Sequence, residues 1–355
     1  MDFSRLKAAL EGLTGEMLPG FSLCASVDQR PAFSVSAGFS DEENGIEAAL
    51  DTRYSAYSMT KPISACVALM ASEQGKLDLN APVSAYLKEF TDYTLLIADE
   101  RGKRVVKAPR EPRVIELLSM SAGFGDNMAL LGRAPTRQAV SCLRDQPLLF
   151  ESGTRWLYGL CYEVLGAVLE EAYGLKLTEI FRRAVFEPCG MGDSCFLSEV
   201  KDYSLLAPVY RAAGAGYESA PLDLTYAPHP SYYCAGAGLV TTAADYRRFL
   251  DALMGGQLIG KKSLESMKTD RLSGAAMRAD FNWPQTRGYG YGLGLRVPLP
   301  GSGYTDWGWG GAAGAYCLMD FDKNASLCFF TNVLGADETK LYPLLRDLFT
   351  EALLA

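Results

Sequence analysis

Residues 57–77 read YSMTKPISACVALMASEQGKL. Ser58 and Lys61 stand three residues apart and read either as a nucleophile with its base or as a polar helix start with a solvent-facing lysine. Pro62 separates the two. A proline ring inside a helix collides with the carbonyl four residues earlier, so a helix that contains Pro62 has to begin close to Ser58. Ser58 then sits at a helix N-terminus, where unpaired N–H groups and the positive dipole end favour a developing negative charge. Residues at i and i+3 share a helix face, so Lys61 projects beside Ser58. From Ile63 to Met70 the chain is almost continuously apolar and small, the pattern of a helix buried nearly all round, and Gly75 is a stop signal. Lys61 is drawn into that interior. Burial disfavours a lysine's charged form, and a neutral or proton-sharing lysine is what a serine needs as a base. A second Ser-x-x-Lys, Ser198 to Lys201, lies in FLSEVKDYS with no apolar helix behind it and has none of these features.

The regions around this stretch set the expected architecture. A helix over 2–18, with Phe3, Leu6, Leu10 and Leu13 on one face, is followed by two strands, 21–27 and 32–39, joined by the turn-like DQRP. From 76 to about 229 helical patterns prevail: RVIELLSMSAGFG (113–125), YEVLGAVLEEAYG (162–174) and LTEIFRRAVFEPCGMGDS (177–194). A helix over 245–256 then leads into strand-like runs at 290–297, 314–321 and 325–333, the last two a hairpin through DKNA, and a closing helix at 338–354. Strands at both ends of the chain most simply share one sheet. The expected fold is α+β: an antiparallel sheet built from both chain ends and flanked by helices, with an inserted mostly helical lobe. The expected division is 1–75 and 230–355 for the sheet domain and 76–229 for the lobe.

Composition narrows the chemistry. The 355 residues carry a net charge of −8 with no long basic run, which disfavours nucleic acid and anionic membranes as partners. No apolar run is long enough to span a bilayer, and the N-terminal MDFSRLKAALEGL is amphipathic rather than signal-like. The nine cysteines are scattered without a C-x-x-C pair and read as buried free thiols in a reducing compartment, so a cytoplasmic location is expected. The one histidine, His229, lies in the loop-like APHPSYY. A histidine-rich zinc site is impossible, and no cofactor or metal is expected. A Ser-His-Asp triad would need His229, so the base of a serine hydrolase here is expected to be lysine or tyrosine. GGQLIGKKS (255–263) approximates a phosphate loop but has Lys262 where a magnesium-binding hydroxyl belongs, and GYGYGLG (288–294) opens no helix.

From Ser58 to Phe90 the chain resembles the serine beta-lactamase and penicillin-binding-protein-like superfamily, and more narrowly its class C beta-lactamase and family-eight carboxylesterase branch. VIELLSMSAGF, with Met120 in place of a histidine, FESGTRWLYGLCYEVLGAVLE, FEPCGMGDSCF, AGAGLVTTAADYRRF and WGWGGAAGAY follow in that branch's order, so the resemblance runs from about residue 20 to the end. It implies Ser58 as the acylated nucleophile, Lys61 as its partner, and Tyr158 as the group that deprotonates serine, protonates the leaving group and activates water. It implies an oxyanion hole from the backbone N–H groups of Ser58 and Ala312, next to the third motif Trp309-Gly310-Gly311. Two departures stand out. Leu160 occupies the place of an asparagine whose amide would hold a substrate amide. Trp309 occupies the place of a cationic or imidazole group that meets substrate carboxylates, and tryptophan has no charge to offer.

The expected function is therefore a serine hydrolase cleaving small-molecule esters through an acyl-Ser58 intermediate. The alternatives are a beta-lactamase or D-amino-acid peptidase, an acyltransferase using the same acyl-enzyme, and a catalytically idle binding homologue. Trp309, Gly310, Gly311 and Leu160 are the expected substrate-binding residues. The acyl pocket is expected to be walled by the helical lobe, with Met120, Phe124 and Tyr232 as candidates. The oligomeric state is not legible.

Overall fold

A computed structural model describes residues 1–100, 102–131 and 133–355. Eight antiparallel strands form the main sheet. They are β1 (Gly20–Val27), β2 (Arg30–Asp41), β3 (Ile46–Glu47), β4 (Tyr289–Tyr291), β5 (Arg296–Pro298), β6 (Asp306–Gly310), β7 (Tyr316–Asp320) and β8 (Ala325–Phe330). Their order is β4-β5-β6-β7-β8-β1-β2-β3, so β8 from the end of the chain pairs directly with β1 from its start, Cys24 opposite Cys328. The α+β fold expected from the sequence, with its sheet drawn from both chain ends, is the one observed.

The central strands are buried on both faces, which is why GFSLCASV reads as a continuous run rather than an alternating one. On one face α1 (Ser4–Glu11) and α5 (Glu338–Leu354) cover Phe21, Leu23, Leu318, Leu327 and Phe329 with Leu6, Leu10, Leu345 and Phe349. On the other, α4 (Ala243–Met254) lays Tyr246, Phe249 and Leu250 over Cys24, Cys317, Cys328 and Phe330. The helix α2 (Thr60–Glu73) packs on α3 (Cys161–Tyr173), and its residues from Thr60 to Leu69 are all buried. All nine thiols are free, six of them buried. Among the described residues no helix is long and apolar enough to cross a membrane.

Several elements differ from their sequence reading. The first helix stops at Glu11, because Gly12 and Gly15 are followed by turns that lead into β1. The run at 290–297 is two strands: the backbone reverses between Tyr291 and Arg296, with Gly292 N–H bonded to the Leu295 carbonyl and Gly294 at φ 80°. The 113–125 helix ends early, at Leu118, and 177–194 is Leu177–Phe181, one π-helical turn (Arg182–Phe186) and a short helical end at Cys189. The region between 76 and 229 also holds two short hairpins, Thr94–Asp99 with Gly102–Lys107 and Tyr210–Ala213 with Gly216–Ser219.

One buried charge braces the approach to the site. Glu116, in the helix Val114–Leu118, accepts hydrogen bonds from Arg110 at 2.6 and 2.9 Å, from the Arg113 guanidinium at 3.1 Å and from the Arg113 backbone N–H at 2.8 Å. Arg110 also donates to the Ser152 carbonyl. This knot ties residues 110–116 to the segment that leads into Tyr158. Burial alone would push the Glu116 carboxyl up, but the Arg110 and Arg113 donors outweigh it and hold the group below its ordinary 4.5. A depressed carboxyl contributes stability above its unfolded value that disappears as the pH falls through the folded one. Glu116→Gln is expected to lower stability by about 2 kcal/mol at pH 7, with the gap to the parent closing below about pH 4.5. Urea melts of the two proteins from pH 3 to 7 measure both quantities.

Candidate active site

The site begins at a strained turn. Tyr57, which precedes Ser58, is buried and held at φ 46°, a conformation that non-glycine residues rarely adopt and that clusters at functional sites. Ser58 lies in the 3₁₀ turn Tyr57–Met59 that runs directly into α2, so the helix starts where Pro62 required. Thr60 locks the turn: its hydroxyl donates to the Tyr57 carbonyl at 2.6 Å and accepts from Leu239 N–H at 3.0 Å. Ser64, one turn on, donates to the Ala235 carbonyl at 2.6 Å. The segment 235–239 is thus laced along the first two turns of α2.

Lys61 is 5% exposed. Its Nζ stands 3.1 Å from Ser58 Oγ, donates to the Gly236 carbonyl at 2.8 Å and lies 4.4 Å from the centre of the Tyr158 ring. Among the described residues no carboxylate forms an ion pair with it. A serine hydroxyl this close to a buried amine can pass its proton to that amine when the amine is neutral. The structure therefore brings Ser58, Lys61 and Tyr158 together.

Tyr158 is fixed from its other side by Trp309 on β6, whose indole N–H donates to the Tyr158 oxygen at 3.0 Å. An N–H aimed at a phenol oxygen occupies one of its lone pairs and leaves the phenol proton free to point elsewhere. Around this bond Trp156, Phe281, Trp283 and Tyr291 make an aromatic enclosure, with Trp283 5.2 Å from Tyr158 and Tyr291 5.0 Å from Trp309. Three of the chain's four tryptophans meet here. That concentration was visible in the sequence only as scattered tryptophans, and Trp283 was not singled out.

A cavity of about 450 Å³ opens onto Ser58, Tyr158 and Trp309 and onto Gly310, Gly311 and Ala312. Its remaining wall corrects the expectation from sequence. Met120, Phe124 and Tyr232 are core residues and do not line it, and Leu160 is buried with its N–H on the Gly125 carbonyl. The wall comes instead from Trp283 to Thr286, Tyr289 and the first turns of α5, including Glu338, Tyr342 and Arg346. These residues face the core: Phe124 packs against Phe90 and Tyr93, and the Tyr232 hydroxyl donates to Glu163 on α3, while the open space lies between β6 and α5. Both cations on the wall are already met. Arg296 binds Asp306 and the Tyr316 hydroxyl, each at 2.6 Å, and Arg346 binds Asp347 at 2.7 Å and lies over the Tyr304 ring.

The other sequence candidates fall away. His229 accepts the Ser231 N–H on Nδ1 and does not line the cavity. Ser198 Oγ is buried without a hydrogen-bond partner among the described residues, and Lys201 is exposed.

Residues 6–349 match the family described as Beta-lactamase. The chain belongs to the beta-lactamase family. Among its curated relatives is Protein Rv1367c of Mycobacterium tuberculosis, 29% identical over 266 residues, which are 69% of this chain and 66% of that protein. Esterase EstB of Burkholderia gladioli is 28% identical over 250 residues, 61% of this chain and 60% of its own. The chain thus matches about two thirds or less of these relatives' lengths. The solved structure of EstCE1, described as a hydrolase with promiscuous acyltransferase activity, superposes with a TM-score of 0.80 at 22% identity, covering 98% of this chain and 96% of that one. This likeness places the beta-lactamase fold over nearly the whole chain.

Within that fold the contact between β6 and the Ser58 turn is tight. A Cβ on Gly311 would stand 2.5 Å from the Ala56 carbonyl oxygen and 3.3 Å from the Ala315 Cβ, with no flexible side-chain end to yield. Gly311→Ala is expected to destabilise the protein by about 2 kcal/mol, as overpacking against fixed backbone does. Its thermal midpoint compared with that of Gly310→Ala, whose Cβ meets the Tyr342 side chain instead, separates a backbone clash from a side-chain one.

Proposed function

We propose that the protein is a serine hydrolase that cleaves small carboxylic esters through an acyl group carried on Ser58. The observation that carries this reading is the bond from Trp309 to Tyr158 beside the Ser58–Lys61 contact. Neutral Lys61, or Tyr158 as its anion, takes the Ser58 proton as Oγ bonds to the ester carbon. Tyr158 then gives a proton to the departing alcohol, and the same pair draws a proton from the water that releases the acid. The backbone N–H groups of Ser58 and Ala312, at the edge of the same cavity, are suited to hold the oxyanion, an interaction worth roughly 100- to 1000-fold in rate.

The same bond argues for esters over lactams and peptides. A substrate carboxylate at the third motif needs a cation, and Trp309 supplies none. Its single N–H is already used by Tyr158, and the two arginines on the cavity wall are paired. The enclosure of Trp283, Tyr158 and Trp309 suits an uncharged, apolar acyl or alcohol group. The description of one relative as an esterase and of a solved neighbour as a hydrolase with acyltransferase activity is in keeping with an acyl-enzyme whose acceptor is water or an alcohol.

Short-chain nitrophenyl esters and a chromogenic cephalosporin, assayed side by side, test this reading. Ester turnover is expected to exceed lactam turnover by at least about 100-fold and to vanish in Ser58→Ala. Comparable turnover of the two, or ester hydrolysis that persists in Ser58→Ala, would overturn it.

A further inference from the structure

Behind Lys61 lies a buried acid to which the proposed chemistry gives no task. Glu163, on α3 one turn beyond Tyr158, is 4% exposed. Its Oε2 accepts from the Tyr232 hydroxyl at 2.8 Å and its Oε1 from the Cys234 thiol at 3.2 Å. The Gly236 backbone N–H also serves it. Among the described residues no arginine or lysine forms an ion pair with it. A carboxylate buried in this way is costly unless some cation compensates it.

The compensating cation is on the other side of one residue. The Gly236 carbonyl accepts from Lys61 at 2.8 Å, while the Gly236 N–H serves Glu163. A Cβ at position 236 would stand 2.6 Å from Glu163 Oε1 and 3.5 Å from Lys61 Nζ. Glycine is therefore what lets the amine and the carboxyl approach from both sides of one peptide segment. The titratable groups that face this pair are few. Tyr158 and Tyr162 present their rings to Lys61, at 4.4 and 5.7 Å. Tyr232 and Cys234 donate to Glu163, and Tyr226 lies within electrostatic reach of it. All of these are neutral in their ordinary state, so among the described residues that face the pair Glu163 is the acid set against Lys61. Burial pushes its carboxyl upward, against the pull of its donors and of Lys61.

We propose that Glu163 is the counter-charge of Lys61, a positioning residue that acts across Gly236 and sets how readily Ser58 gives up its proton. It touches neither the cavity nor the reacting atoms. A negative charge there favours the protonated amine, so the pH at which Ser58 becomes reactive is held higher than Lys61 and Tyr158 alone would set it. Removing the charge moves that threshold down, whichever of the two takes the proton, because a nearby anion disfavours both a neutral lysine and a tyrosinate.

This inference rests on the acyl-Ser58 reading above, and the experiment separates the two. The full-length protein and its Glu163→Gln variant are labelled with a fluorophosphonate from pH 5 to 10, and labelling rates are followed by intact mass. In that step Ser58 Oγ bonds to phosphorus, fluoride leaves, and the serine proton passes to Lys61 or Tyr158 and then to solvent. The rate is expected to rise with pH in both proteins, with the rising limb of Glu163→Gln about one unit lower. At a fixed pH on that limb the variant labels about tenfold faster. Glu163→Asp, which keeps the charge, is expected to keep the parent's limb. Limbs that superimpose for Glu163→Gln and the parent overturn the proposal, even if the variant is less stable, because a merely structural role changes stability and not the limb. A parent that labels at no pH overturns the acyl-Ser58 reading and this inference with it. Should Glu163→Gln not fold, Glu163→Met makes the same test, since it also removes the charge while filling much of the same space, and an unmoved limb again overturns the proposal.

Discussion

A lysine amine held inside an apolar helix start is the constraint around which the rest of the molecule is arranged. Lys61 lies on a helix whose first ten residues are all buried, and among the described residues its Nζ has the Gly236 carbonyl and Ser58 Oγ as hydrogen-bond partners. A buried lysine without partners would cost several kcal/mol. The segment 235–239 therefore has to run alongside the helix, and Thr60 and Ser64 bind it there. That segment precedes α4, which covers one face of the sheet. The strained turn at Tyr57, the Ser58 hydroxyl and the approach of β6 to Ala56 all follow from the same requirement to close the interior around one amine.

Much of this was legible before any coordinates. Pro62 fixed the helix start, the almost continuously apolar run from Ile63 to Met70 predicted a helix buried nearly all round, and 338–354 was read to the residue as α5. The outer strands from both chain ends form one sheet, as their order suggested. Other features had no local signal. Whether Met120, Phe124 and Tyr232 face a cavity or a core depends on what packs against them from elsewhere in the chain, and periodicity carries no such information. The reversal at Gly292–Leu295 was hidden because a two-strand hairpin and a single glycine-rich strand have the same composition there. The bond between Trp309 and Tyr158 joins residues 151 positions apart. The sequence marked Trp309 as the odd residue of its motif but could not say that its N–H would be used within the protein.

That bond changes how the third motif is read. In sequence, Trp309 is the loss of a charge that would greet a substrate carboxylate. In three dimensions it also fixes the orientation of Tyr158 and closes an aromatic wall with Trp156 and Trp283. One side chain removes a recognition element and braces a neighbour of Ser58. The cavity then extends towards α5, where Glu338, which burial pushes up, accepts from Gln285 at 2.8 Å. The cavity is therefore bounded on this side by the C-terminal part of the chain and by residues 283–289.

Whether Ser58 carries an acyl group during turnover is read by intact mass after brief exposure to an activated ester, followed by peptide mapping. A mass increase equal to the acyl group is expected, located on Ser58 and absent from Ser58→Ala. An acyl group found on another residue, or hydrolysis of the ester with no acylated species under rapid acid quench, would contradict it.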